Sequence, residues 1–133
     1  MLNSVHHIHY VVRDRDEMVE YIRQNFGMEP DDLHVIEERG MKDALYRVGE
    51  TLIEITEPLD ADSGIGQHLA EHGPGVYHVA FGVDNIHQVA AELAGKGNRL
   101  RGEGGVTQSP RGYVTANIDP ADSHGLWFQL AQG

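Results

Sequence analysis

The sequence predicts an α+β fold of two tandem βαβββ modules, closed into a cup-shaped, partly open mixed β-barrel with flanking helices. Two observations predict it. The stretch Val5-His6-His7-Ile8-His9-Tyr10-Val11-Val12 lies over Val76-Tyr77-His78-Val79-Ala80-Phe81-Gly82-Val83 with the same hydrophobic frame, at an offset of 71 residues. Later, Leu52-Ile53-Glu54-Ile55-Thr56 lies over Trp127-Phe128-Gln129-Leu130-Ala131 at an offset of 75. Chance similarity of apolar runs does not repeat the order of elements and the polar positions together.

Each first strand is followed by an acidic start and a helical period. Asp14 or Asp16 caps a helix running to about Asn25, with Met18, Tyr21, Ile22 and Phe26 as its apolar stripe and Gly27 as its stop. In the second copy Asp84 caps a helix carrying Ile86, Val89, Ala90 and Leu93, ending at Gly95 or Gly97. Each half then has room for two short strands, near 32–39 and 42–48 and again near 105–108 and 113–118. Gly40, Gly49-Glu50, Gly104-Gly105 and Pro110 with Gly112 supply the turns. The single domain covers 1–133: module one at 5–60, a linker at 61–74 that is helical from about Ser63 to Glu71, and module two at 75–131.

Size and composition restrict the function. A chain of 133 residues, 40% hydrophobic and 23% charged, has ordinary globular composition. No apolar run approaches the roughly 20 residues that span a bilayer. The first four residues offer no basic or apolar leader, so the expected location is cytoplasmic. Zero cysteines exclude disulfides and thiol catalysis. A formal charge of −11, with only Lys42 and Lys96 as lysines, argues against a nucleic-acid partner.

Strand alternation sends successive side chains to opposite faces. Tyr77, Val79, Phe81 and Val83 form an apolar face, and His78 points the other way. Ile53 and Ile55 oppose Glu54, and Phe128 and Leu130 oppose Gln129. His7 shares its strand face with His9. A lone strand histidine is usually a hydrogen-bonded structural residue, and a lone Glu54 a solvated one. Here four polar side chains stand at repeat-related positions. If the modules pair about a pseudo-twofold axis, His7, Glu54, His78 and Gln129 converge on one divalent cation: Zn, Co, Mn, Ni or Fe. Open coordination positions would then take substrate oxygens, polarising a carbonyl. Tyr46, Tyr113 and Trp127 offer aromatic walls for a substrate.

These residues resemble the vicinal-oxygen-chelate superfamily (glyoxalase, bleomycin resistance, dioxygenase) over the whole chain from Val5 to Leu130. Within it the likeness is to methylmalonyl-CoA epimerase. Glu54-Ile55-Thr56-Glu57-Pro58-Leu59 with Ser63 and the helix through Leu69-Ala70-Glu71-His72-Gly73 is similar to its second-ligand strand and connector. Gly75-Val76-Tyr77-His78-Val79-Ala80-Phe81 and Gly125-Leu126-Trp127-Phe128-Gln129-Leu130 are similar to its third-ligand and last strands.

The resemblance implies a metal-dependent epimerase or isomerase that removes a proton beside a metal-bound carbonyl, and a homodimer. It also implies a proton-transfer carboxylate at Asp43, where the epimerase has glutamate. The ligand order departs from the family's His, Gln, His, Glu, because the carboxylate stands at Glu54 and the amide at Gln129. Gln129 does not ionise, so Glu54 or His9 is the expected second proton-transfer group. Asp119-Pro120-Ala121 replaces the family's His-Pro-Lys. That loss and the acidic charge leave an acyl-CoA thioester and an uncharged keto-cyclitol both open as substrates. The runner-up readings are a glyoxalase I-like lyase and a drug-sequestering binding protein that uses no metal.

Overall fold

The computed structural model describes residues 1–101 and 105–133. Its elements are β1 (Ser4–Val11), α1 (Arg15–Phe26), β2 (Asp32–Ile36), β3 (Met41–Val48), β4 (Thr51–Pro58), α2 (Gly64–His72), β5 (Gly75–Gly82), α3 (Ile86–Gly95), β6 (Thr107–Gln108), β7 (Val114–Asn117) and β8 (Phe128–Gln132). This is the α+β order βαβββ, linker helix, βαβββ. The expected turn at Gly104 lies outside the described residues. Among the described residues no helix is long and apolar enough to cross a membrane.

The chain forms two compact units, residues 7–77 and residues 1–6 with 78–133. The first six residues thus pack with the second half. Asn3 N–H donates to the Gly82 carbonyl at 2.9 Å, and the Asn3 side chain donates to Asp84 at 2.8 Å. Gly82 admits this approach, because a Cβ there would stand 2.1 Å from Ser4 Oγ.

In the 7–77 unit the strand order is β2-β3-β4-β1. β1 runs parallel to β4, pairing His7 with Leu52 and His9 with Glu54, and the other pairs are antiparallel. One face packs on α1 through Val12, Val19, Ala44, Tyr46 and Ile55, flanked by Tyr10, Met18, Ile22, Met28 and Ile53. Val19 takes the buried place that the periodicity assigns to Tyr21 and Phe26. Those two rings are exposed and pack on each other at 6.4 Å. The helix buries the stripe through Arg15, Met18, Val19 and Ile22, which turns positions 21 and 26 outward.

Asp14 caps α1 by accepting from Glu17 N–H, and Gly27 closes it at a positive φ of 65°. Asp16 instead takes hydrogen bonds from Arg15 and Lys42. β2 stops at Ile36, short of the expected 39, because Glu37–Arg39 wind into a single 3-10 turn closed by Gly40.

The second unit orders its strands β6-β7-β8-β5, again with one parallel pair, β5 on β8. Val83, Ala116 and Leu130 pack on Ile86, Val89 and Ala90 of α3. Asn85, not Asp84, caps this helix by accepting from Gln88 N–H, since Asp84 is engaged by Asn3.

The linker helix α2 starts at the Ser63 cap, whose hydroxyl accepts from Gly66 N–H. Gly66 lies so close to the preceding turn that a Cβ would meet the Asp60 carbonyl oxygen at 2.3 Å and that of Ala61 at 2.9 Å. Gly→Ala inside a helix ordinarily stabilises by about 1 kcal/mol. Gly66→Ala is expected to destabilise instead, by roughly 1–3 kcal/mol of steric strain. Urea unfolding checks this, and a midpoint above wild type would contradict the packing.

Candidate functional site

In the 7–77 unit the face opposite α1 carries the polar residues. Register and alternation place His7, His9, Asp43, Leu45, Glu54 and Thr56 together on it. His7, Asp43, Glu54 and Thr56 are at most 2% exposed. Burying a carboxylate costs several kcal/mol unless charge or hydrogen bonds compensate, and here two are buried in one sheet face.

His9 links Glu54 to Thr56. Its Nε2 is 2.7 Å from Thr56 Oγ1, and its Nδ1 is 3.7 Å from Glu54 Oε2. Asp43 pairs in register with both Thr56 and His34, and its Oδ1 lies 3.4 Å from His34 Nδ1. From the start of α1 the buried Arg15 guanidinium donates to the backbone carbonyls of Asp43, at 2.8 Å, and His34, at 3.2 Å. This fixes the strand segment that carries the carboxylate.

The second unit has its own polar face, with Ala80, Tyr113 and Ala131 packed together on it. His78 Nε2 lies 2.9 Å from Gln129 Oε1. Gln129 Nε2 and Trp127 Nε1 both donate to Asn117 Oδ1, at 3.0 and 2.7 Å. The Trp127 ring covers the His78 ring at 4.3 Å between centroids, and the Arg101 guanidinium lies over the indole at 5.6 Å. Burial pushes the His78 imidazole down to about 4, and the hydrogen bond to Gln129 offsets only part of that.

The strand pairing repeats between units. His9 stands opposite Glu54 on β4, and Ala80 stands opposite Gln129 on β8. The two positions match under the sequence offsets of 71 and 75. The methyl of Ala80 leaves the space in which His78 reaches Gln129 diagonally, whereas the His9 ring fills the matching space beside Glu54.

Of the residues singled out from the sequence, His7, His9, Asp43 and Glu54 share the polar face of the first unit. His78, Gln129, Trp127 and Tyr113 share that of the second. Tyr46 does not line a polar face. It alternates with Asp43 and Leu45 and therefore points into the α1-packed layer, where burial pushes its hydroxyl pKa up. Among the described residues no group of three or more His, Asp or Glu side chains that could hold a metal ion is present.

Each unit supplies donors that suit a cation. His78 is neutral at pH 7, the protonation state a ligand needs, and its neighbour is an amide oxygen. In the other unit stand a buried imidazole and a buried carboxylate. Thr56, His34, Arg15 and Asn117 escape sequence reasoning. Thr56 alone has a signal, two residues after Glu54 on the same strand face.

The family model of the Glyoxalase/Bleomycin resistance protein/Dioxygenase superfamily matches residues 6–116. The chain belongs to that superfamily. Among its curated relatives, mitochondrial methylmalonyl-CoA epimerase of Bos taurus is 26% identical over 98% of this chain and 75% of the relative. The human protein is 25% identical over 98% and 74%.

Among solved structures, a methylmalonyl-CoA epimerase in complex with methylmalonyl-CoA and ammonium superposes with a TM-score of 0.88. It is 29% identical over 100% of this chain and 96% of that one. The epimerase from Mycobacterium tuberculosis gives a TM-score of 0.87 at 25% identity, over 98% of this chain and 88% of that one.

The depressed pKa of His78 has a sign that unfolding experiments read. The unfolded chain binds a proton near pH 6.5 and the folded metal-free chain only near 4. Between those values the unfolded state holds more protons, so stability falls as pH drops from 6.5 towards 4. The loss is on the order of 3 kcal/mol. In chelator-treated protein His78→Asn is expected to flatten that segment of the stability profile. A constant difference between wild type and variant across the window would contradict this burial.

Proposed function

We propose that this protein is an isomerase of the epimerase branch of its superfamily, removing and returning a proton on the carbon beside a substrate carbonyl. The observation that carries the reading is the pair of fully buried carboxylates, Asp43 and Glu54, on one sheet face with His9 in contact with Glu54. Such groups are costly to bury and serve proton transfer where their environment is set by neighbours rather than by water.

The residues proposed to hold one divalent cation are His7, Glu54, His78 and Gln129. The neutral state of His78 and the orientation of the Gln129 oxygen support this assignment. A bound cation supplies Lewis-acid polarisation of the substrate carbonyl. Asp43 is the proposed first base, accepting the proton on a carboxylate oxygen while Arg15 holds its strand. Glu54 and His9 are the proposed return side. With Glu54 engaged as a ligand, the mobile proton belongs to His9, whose Nε2 is held by Thr56 and whose Nδ1 faces the carboxylate.

The substrate class is a small carbonyl compound, an acyl-CoA thioester as in the epimerase relatives or a keto-cyclitol. The protein is proposed to act as a homodimer.

Incubation of metal-replete protein with methylmalonyl-CoA and with keto-cyclitols in deuterated water tests this by NMR. Deuterium is expected to enter the carbon beside the carbonyl without net breakdown of the compound. Asp43→Asn is expected to slow the exchange by about 10²–10⁴-fold. Net breakdown would point to a lyase, and absence of exchange with every carbonyl compound would overturn the isomerase reading. Chelation is expected to abolish exchange, and added Co²⁺, Mn²⁺ or Zn²⁺ to restore it. Exchange undiminished after complete metal removal would remove the cation from the proposal.

A further inference from the structure

The indole of Trp127 forces a series of assignments. An indole N–H donates and never accepts. Trp127 Nε1 lies 2.7 Å from the Asn117 side chain, so the Asn117 atom facing it is the carbonyl oxygen. That same oxygen lies 3.0 Å from one terminal atom of Gln129, which must therefore be the NH₂. The remaining atom, Gln129 Oε1, is turned to His78 Nε2 at 2.9 Å.

The backbone holds this arrangement in place. Asn117 stands opposite Gln129 in the β7–β8 pair, Arg101 N–H donates to the Asn117 carbonyl at 3.0 Å, and Ile118 N–H donates to that of Phe128 at 3.0 Å. In the other unit the residue opposite Glu54 on β3 is Leu45, which neither donates nor accepts. A carboxylate has two equivalent oxygens and requires no guide. An amide has one ligating end and one that cannot ligate.

We propose that Asn117 is a positioning residue, its side-chain oxygen holding the Gln129 amide so that the oxygen and not the NH₂ faces His78. The proposal rests on the reading of Gln129 as a cation ligand, and it explains how an amide serves where a carboxylate would need no help. Trp127 belongs to the device, since its indole keeps Asn117 itself from turning over.

Cobalt titration followed by absorbance at fixed pH tests the device, with folding of each variant verified by circular dichroism. Asn117→Leu keeps the side-chain size and removes the acceptor. It is expected to weaken Co²⁺ binding by about 10–100-fold, the usual cost of losing a partner that orients a ligand. Asn117→Asp keeps an acceptor for both donors and is expected to retain most of the affinity. Trp127→Phe, which releases Asn117 while preserving an aromatic ring, is expected to weaken binding in the same direction.

In a Gln129→Glu background neither Asn117→Leu nor Trp127→Phe is expected to matter, because the carboxylate presents an oxygen either way. Equal losses in both backgrounds would make Asn117 a packing residue only and overturn the proposal. Should wild-type protein fail to bind Co²⁺ at all, the cation reading falls, and NMR of the metal-free Gln129 side-chain amide decides the positioning claim by itself. Two distinct, slowly exchanging NH₂ protons are expected in wild type and faster exchange in Asn117→Leu. Identical exchange in the two proteins would sink it.

Discussion

The parallel register of β1 on β4, repeated by β5 on β8, is the constraint on which the rest of the molecule depends. With His9 opposite Glu54 and Ala80 opposite Gln129, the apolar side chains of each strand fall on the helix-packed layer and the polar ones on the other. A slip of one residue would exchange the faces. It would drive Glu54 against α1 and set Ile55 among the buried polar side chains. Because the register is the same in both units, their chemical difference lies in the occupants. One unit carries imidazole beside carboxylate, and the other carries a methyl that lets an imidazole reach an amide.

The first unit keeps two carboxylates out of water at a cost that its opposite face offsets. Val12, Val19, Ala44, Tyr46 and Ile55 close on α1, and each buried aliphatic or aromatic side chain contributes roughly 1.5–3 kcal/mol. Arg15 links the two tasks. It begins α1, directly after the Asp14 cap, and its guanidinium ends on the carbonyls of Asp43 and His34. Helix docking and placement of the Asp43 strand are therefore one event. The same helix that completes the core sets the position of the carboxylate on the far side of the sheet.

Most of the architecture was legible because duplication doubles the signal. The paired segments around His7 and His78, and around Glu54 and Gln129, mark the four strands that matter, and Asp14, Gly27 and Ser63 mark helix ends. What stayed hidden depends on contacts between distant segments. Asp84 reads as a cap until Asn3 claims it and leaves the role to Asn85. Tyr21 and Phe26 fit the helical stripe as well as Val19 does, and only the angle at which α1 meets the sheet decides among them. Tyr46 needed the phase of β3, which a preceding 3-10 turn and glycine obscure. Asn117, at the end of β7, was invisible for a different reason. The stretch between β7 and β8 is too irregular to show from sequence which residue faces Gln129.

The makeup of the second polar face has an electrical consequence. A neutral imidazole titrating near 4, two primary amides and an indole change no charge between about pH 5 and 9, and the neighbouring arginine stays cationic throughout. That wall is silent across the physiological range. Whatever response the protein gives to acidity in that interval originates in groups outside the His78, Gln129, Asn117 and Trp127 cluster, in either unit, and the cluster keeps its charge and its hydrogen-bond pattern while they change.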